Sequence, residues 1–430
     1  MNVLLSNRNY RHLFFAQITS LAGTGISTIA LALLAYNLAG DRAGSVLGTA
    51  LALKMFAYVI LAPVIGAFAH KLPRKQWLAG LDLVRAGLIL LLPFVSEIWH
   101  IYLLILAINS CSAGFTPVYQ SVLPQVLPDK QQYMKALSWS RLAYDLEQLL
   151  SPTLAGLLLT VMSFRGLFIA DAITFLLSGA LIITAVIPAA LQPERKKSII
   201  HNLQFGIRSY LKTPRLRAVL GAYMAVASAS AMAIVNTVIY VSEALNKSEQ
   251  ETAMAMAAMG FGSMLIALNL PRWLKKHEIR SVILTGCIMI VAALAVGISL
   301  PSWSVFLLLW FVLGMGTSLI QTPVGALINR SCRESDSPAF FAANFSLSHL
   351  CWFFTYLLAG WGSATLGLTH AFMMMTALSL AGLLVALKTY PKHDPEELEH
   401  AHPGNDGEPE TVHSHHFVID IDHPEWPVKP

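Results

Sequence analysis

The chain has 430 residues, of which 55% are hydrophobic and only 12% charged, and its mean hydropathy is +0.59. Soluble domains carry about 25% charged residues, so this balance excludes a water-soluble fold and points to a lipid bilayer as the chain's surroundings. The formal charge of +5 hides a division, because residues 388–430 hold ten acids against three Lys, leaving the tail near −7 and the body near +12. Cys111, Cys287, Cys332 and Cys351 lack CxxC spacing, which excludes a disulfide framework or a zinc finger. With no HExxH motif and no accessory domain, neither an enzyme nor a nucleic-acid partner is expected.

Apolar stretches of about 20 residues recur from the N-terminus to Leu387, each long enough at 1.5 Å per residue to cross a ~30 Å hydrocarbon core. The first, after Arg8 and Arg11, runs past signal-peptide length and reads as a spanning helix. The predicted spans are 13–38, 44–69, 77–95, 99–123, 139–163, 166–187, 216–242, 252–270, 281–299, 303–328, 339–362 and 367–387. With the N-terminus in the cytoplasm, 24 of the 29 Lys and Arg fall in the tails and cytoplasmic loops or at their edges, and only Arg42, Arg165 and Lys247 fall outside. That asymmetry predicts cytoplasmic termini. Lys54 and Arg85 lie within spans, where a charge needs a partner or a wet cavity.

The basic loop Pro188–Pro214 divides the spans six and six, giving an N-terminal half (1–190), a central loop (191–215), a C-terminal half (216–390) and a tail (391–430). Sliding the sequence by 204 residues lays Leu154-Ala155-Gly156 of the fifth span over Leu358-Ala359-Gly360 of the eleventh. Twelve spans suffice for a functional monomer. Two such halves with a site between them at mid-membrane suggest an all-α transporter fold.

In chain order, the chemistry begins after the second span with Gly66-Ala67-Phe68-Ala69-His70-Lys71-Leu72-Pro73-Arg74-Lys75. Asp82 and Arg85 follow in the third span at i, i+3, a spacing at which they can neutralise each other as a structural ion pair. In the fifth span Arg141 precedes Tyr144-Asp145-Leu146-Glu147, and Ser151-Pro152-Thr153-Leu154-Ala155-Gly156 follows. One carboxylate deep in a span costs about 2.5–3.5 kcal/mol, so two of them suggest cation binding or a proton relay. An ion pair to Arg141 would account for Asp145 and leave Glu147 over. In the sixth span Asp171 sits near Arg165, which suggests an interfacial structural role.

The 204-residue shift lays Asp145 on His349 and Glu147 on Cys351. Pseudo-symmetry would bring carboxylate, imidazole and thiolate together, a set that suits a borderline divalent metal. The Met residues of the eighth and twelfth spans give only a weak hint of a softer ion. Beyond Lys388 the chain turns to Pro, Gly, acids and seven of the fourteen His. Such a segment cannot bury a core and is expected to be disordered. Its His400, His402, His413, His415, His416 and His423 are candidate ligands for Ni, Co or Zn, the alternative being a solvated acidic tail.

The 66–75 segment resembles the Gly-x-x-x-Asp-Arg-x-Gly-Arg-Lys gating motif of the major facilitator superfamily, with His70 in place of Asp and Pro73 in place of Gly. Gly66, His70, Arg74 and Lys75 would form the gate. The 151–156 segment resembles the antiporter Gly-Pro-x-x-Gly element, with Ser151 for the first Gly. Asn7-Arg8-Asn9-Tyr10-Arg11, Asp82-Leu83-Val84-Arg85, and Asp171 with Phe175 resemble the drug, macrolide and siderophore exporter branch. The fifth-span motif together with the His-rich tail resembles the nickel and cobalt resistance exporters. These resemblances imply proton-driven export from the cell, with no permanently bound cofactor. The expected substrate is a divalent transition metal held by Asp145, Glu147, His349 and Cys351, with Arg141 in proton coupling. The alternative is an organic drug, macrolide or siderophore.

Overall fold

The structure, a computed structural model, describes residues 2–39, 43–189, 199–392, 394, 398–402, 411–415, 417–419 and 426. Twelve long helices organise the described residues: α1 (Arg8–Ala39), α2 (Ala43–Phe68), α3 (Arg74–Ile89), α4 (Ile98–Val126), α5 (Lys130–Leu159), α6 (Phe164–Thr184), α7 (Pro214–Ala244), α8 (Glu249–Trp273), α9 (Ile279–Gly297), α10 (Trp303–Asn329), α11 (Ser337–Leu366) and α12 (Leu368–Thr389). Among the described residues ten of them are apolar enough throughout to cross a membrane on composition alone. The other two, α5 and α11, are 30 residues each, so they have the length but carry polar residues along it. Those two helices build the site.

Each half keeps its own core. In the N-terminal half Tyr10, Phe14, Tyr119 and Leu123 pack at the end bearing the terminus, and Ile26, Leu34, Ile89 and Phe168 at the opposite end. In the C-terminal half Trp310, Phe306, Tyr240 and Phe372 stack as a cluster of rings, with Phe306 and Trp310 centred 3.9 Å apart. The halves meet where α2 runs along α11 and α5 along α8 and α10.

Local signals explain the ends of several elements. Asp129 caps α5, accepting from the Gln132 amide at 2.8 Å, so this helix starts nine residues before the predicted span. Ser248 and Glu251 form a capping box on α8. The helix α7 widens into π turns at Met232–Asn236 and Tyr240–Ala244, and at the end of the first the Asn236 side chain donates from Nδ2 to Ala359 O on α11 at 3.3 Å.

The central loop contains an amphipathic helix, Ile199–Lys212, lying against α2 and α11. A Cβ on its Gly206 would stand 2.6 Å from Ala339 O, and Tyr210 donates to Asn344 Oδ1 at 3.0 Å. The tail corrects the expectation of disorder for its described residues. Leu398–His402 and Thr411–His415 pair as an antiparallel hairpin, while Phe417, Val418 and Ile419 are buried. Arg215 reaches Asp394 Oδ1 at 3.1 Å, accepts the Trp426 ring over its guanidinium at 5.0 Å, and donates to Phe417 O. The backbone and these apolar contacts supply what composition alone does not reveal. His393, His416 and His423 lie outside the described residues.

Candidate functional site

A cavity of about 470 Å³ lies between the halves at mid-height, lined from α2, α4, α5, α7, α8, α10 and α11. Arg141 and Asp145, one turn apart on α5, pair at 2.9 Å, as their spacing predicts. The pair is tied to the other half: Arg141 Nε donates to Ser263 Oγ on α8 (3.0 Å), Arg141 Nη1 to Gln321 Oε1 on α10 (2.7 Å), and Ser263 Oγ to Asp145 Oδ2 (2.6 Å). A charge network at 3% exposure for Asp145 thus bridges the two halves. Ser263 and Gln321 were silent in the sequence, since a lone Ser or Gln in an apolar span has no pattern to mark it.

Glu147, two residues on, faces the same cavity and has no ion pair among the described residues. The cation whose field acts on it is Lys54 of α2, which also lies 5.7 Å from the Tyr58 ring centre. The wet cavity expected around Lys54 is therefore present. Opposite stands α11, where the His349 ring packs on Tyr58 (4.8 Å), Phe345 (4.2 Å) and Trp352 (5.2 Å), and its Nδ1 bonds to Phe345 O at 2.7 Å. Tyr144, Tyr223 and Tyr356 complete an aromatic lining.

The four-ligand metal set is not assembled. Asp145, Glu147 and His349 share the cavity, but Cys351 does not line it and sits in the C-terminal core at 6% exposure. Among the described residues no group of three or more His, Cys, Asp or Glu is close enough to hold a metal ion. The physical reasons are visible: Arg141 already neutralises Asp145, Lys54 adds a second cation, and the imidazole is enclosed by rings. The bounds of α5 and α11 are offset by 207 residues, three more than the shift that aligns their Leu-Ala-Gly segments.

The remaining motif residues lie elsewhere. Gly66 presses against the start of α11, where a Cβ would collide with Ala342 and stand 3.2 Å from Pro338 O. His70 lies in the turn Ala69–Lys71, Lys75 is half-buried in the first turn of α3, and Arg74, 3% exposed, donates to Gln125 Oε1 at 2.6 Å. On the same side a Cβ on Gly325 of α10 would stand 2.8 Å from Leu137 Cδ2 and 3.1 Å from Tyr133 Oη of α5. The halves are therefore closed together at the end bearing the termini. Asp82 and Arg85 form a buried ion pair, with Ser178 donating to Asp82 at 2.7 Å and the guanidinium held between the Phe115 and Phe175 rings at 4.5 and 4.4 Å. Asp171 does not pair with Arg165. Its described partners are Ser27 and Thr174, and it is 1% exposed.

The profile described as Major Facilitator Superfamily matches residues 13–234 and again 219–410. The chain belongs to the major facilitator superfamily. It is similar to the MFS-type transporter YvqJ of Bacillus subtilis, 24% identical over 80% of this chain and 83% of that one. A shorter stretch, 39% of this chain and 44% of the relative, is 27% identical to Macrolide efflux protein A of Streptococcus pyogenes. Among solved structures the fold is shared with the human organic anion transporter MFSD10 (TM-score 0.76, 13% identity, 88% of this chain and 99% of that one). It is also shared with a bacterial homologue of the iron transporter ferroportin in its outward-facing state (TM-score 0.71, 14% identity, 88% and 97%). The protein is thus a multi-pass membrane transporter.

Proposed function

We propose that this superfamily member exports an amphipathic organic molecule from the cytoplasm across the cell's inner membrane, driven by proton antiport, with both termini cytoplasmic. The observation that carries the reading is the lining of the central cavity: six aromatic rings and a carboxylate, Glu147, with no ion pair among the described residues, a surface suited to a hydrophobic body bearing a cationic or hydrogen-bonding head. The likeness to Macrolide efflux protein A supports the same class of cargo. Closure of the Gly66–Ala342 and Tyr133–Gly325 contacts fits a cavity facing outward. In the cycle, Glu147 binds cargo and proton by turns, and the Arg141–Asp145–Ser263–Gln321 network reports that exchange to the opposite half. Among the described residues no group of three or more His, Cys, Asp or Glu supports nickel or cobalt export in the same way.

The test is accumulation of radiolabelled erythromycin, a macrolide, in inverted vesicles with an acidic interior, run beside the same vesicles offered Ni²⁺. The expected result is at least fivefold more macrolide than in Glu147→Gln vesicles, with no Ni²⁺ uptake above background. The reverse pattern would replace the organic reading with the metal one.

A second role is read for the tail from the hairpin register, which sets His400 opposite His413, with His402 and His415 at the flanking positions of the same parity. Alternate residues share one face of a ladder, so this backbone arrangement suits chelation of a divalent metal. Titration of the full-length protein with Ni²⁺, against a variant with these four histidines changed to Ala, tests it. Equal binding by both would end the idea.

A further inference from the structure

The N-terminal half contains a second cavity, about 310 Å³, among α1, α2, α4 and α6. Toward the end opposite the termini its walls are apolar, with Leu31, Leu47 and Leu92. Deeper it becomes polar, with Ser27, Asn109 and Asp171. Lys54 and Tyr58 line this cavity and the central one alike, so a single turn of α2 forms a common wall.

Asp171 has hydroxyl neighbours but no cation of its own. Ser27 Oγ donates to Asp171 Oδ2, and Thr174 Oγ1 lies 3.3 Å from Oδ1 while donating to the Asp171 backbone oxygen at 2.7 Å. The charged and titratable groups around it are few. From α3 come Arg85, already paired with Asp82, from α4 Cys111 beside Arg85, and from α2 Lys54 across the cavity. From α1 only Gly23 and Ser27 reach it, and beyond α1 stands Glu147 of α5. A buried carboxyl group so placed can balance its charge with a proton taken from a wet cavity.

The two acids are separated by the thinnest part of α1. A Cβ on Gly23 would collide with Asp171 Oδ1 and Thr174 Oγ1. A Cβ on Gly25 would stand 2.6 Å from Glu147 Oε1 and collide with Ser151 Oγ. Two bare positions on one helix thus let one carboxylate press on each flank.

We propose that Asp171 and Glu147 are the two ends of a proton relay through the N-terminal half, loaded from the outer side by a path separate from that of the cargo. In the transfer an O–H bond breaks at the Asp171 carboxyl group and one forms at the Glu147 carboxylate. Ser27 or a water hands the proton past α1, and no electrons change hands. Lys54 sets the direction: once Glu147 is protonated its charge no longer offsets that of Lys54, whose field then favours the ionised form of Asp171 on the other side of the wall. This inference rests on the proton-antiport reading, and its test has a readout independent of cargo.

Infrared difference spectra of the purified protein between acidic and alkaline pH should show a protonated-carboxyl C=O band that is lost in Asp171→Asn and restored in Asp171→Glu. In proteoliposomes, Asp171→Asn should lower pH-driven accumulation of erythromycin at least tenfold and leave erythromycin exchange at equal pH within twofold. Leu47→Trp, which narrows the cavity from its apolar wall and leaves both acids in the sequence, should slow the driven reaction and spare exchange, and it serves if Asp171→Asn fails to fold. An unchanged band, or full accumulation by both variants, overturns the relay. Loss of exchange together with accumulation overturns it too, by making Asp171 part of the cargo site. If the wild-type protein moves no erythromycin but the band behaves as described, the macrolide reading falls and the relay stands.

Discussion

The two halves share a helical plan and divide the chemistry. Every charge deep in the membrane belongs to the N-terminal half, namely Lys54, Asp82, Arg85, Arg141, Asp145, Glu147 and Asp171. The C-terminal half meets the same cavity with the polar side chains of Ser230, Gln321 and Asn344 and with the rings of Phe345, His349, Trp352 and Tyr356. A charge in lipid costs several kcal/mol unless paired or wetted, so one half bears that cost and the other supplies shape and apolar surface. The difference teaches which half to change for which effect: ion coupling should fail from α5, and cargo preference should shift from α11.

The largest effect is expected at α5. Glu147→Gln should abolish pH-driven transport of the macrolide probe, a fall of more than a hundredfold in initial rate, while the purified protein keeps its thermal midpoint, because no ion pair is broken. Asp145→Asn should differ in kind. It strands Arg141 in a cavity, and removing one partner of a buried pair costs about 3–5 kcal/mol, reduced here because Arg141 is 18% exposed. A lower midpoint is therefore expected as well as lost transport, and Arg141→Ala combined with Asp145→Ala should cost less than the sum of the single changes. Equal midpoints for the Glu147 and Asp145 variants would show that the pair adds nothing to the joined halves.

Next in size is the aromatic face. Trp352→Ala should raise the half-saturation concentration for the macrolide about five- to tenfold, in line with the ~1–1.4 kcal/mol carried by ring contacts, and leave the dependence on the pH gradient intact. Loss of coupling in that variant would break the division between halves. His349→Ala should have a smaller effect of the same kind, about threefold, and Cys351→Ser should transport like the wild type. A metal-specific defect in both would restore the four-ligand set that the geometry does not assemble.

Much of this plan was legible in the sequence, and what was hidden has physical causes. Twelve spans followed from hydropathy because backbone groups in lipid must be satisfied within helices. The Arg141–Asp145 pair followed from one turn of spacing. The cross-half partners Ser263 and Gln321 did not, because contact between helices over a hundred residues apart leaves no local period. The repeat pointed to Asp145, Glu147 and His349, which share one cavity, and to Cys351, which does not line it, because a Leu-Ala-Gly match of ordinary packing residues does not report which face of a helix a side chain takes. Asp171 looked interfacial from its neighbour Arg165, but the helix face, rather than sequence distance, decided its partners.

The smallest effect is expected from the tail, whose described partners all belong to the C-terminal half. Arg215 and Arg330 hold Asp394, at 3.1 and 3.3 Å, and Phe417 packs on Trp426 at 5.1 Å. A segment attached to one body travels with it and does not lock it to the other. Deleting residues 403–430 keeps Asp394 on its two arginines and removes the burial of Phe417, Val418 and Ile419. Each such side chain is worth at most about 1.5–3 kcal/mol, and ordering the backbone that brings it there costs about 1–2 kcal/mol per residue. For these three residues the two terms largely offset each other, so the net loss of stability should be small. Macrolide transport at saturating substrate should stay within twofold of the full chain, and Ni²⁺ binding should fall with the loss of one strand of the hairpin. A strong loss of transport would mean that the tail also holds the N-terminal half, and that closure of the inner end depends on it.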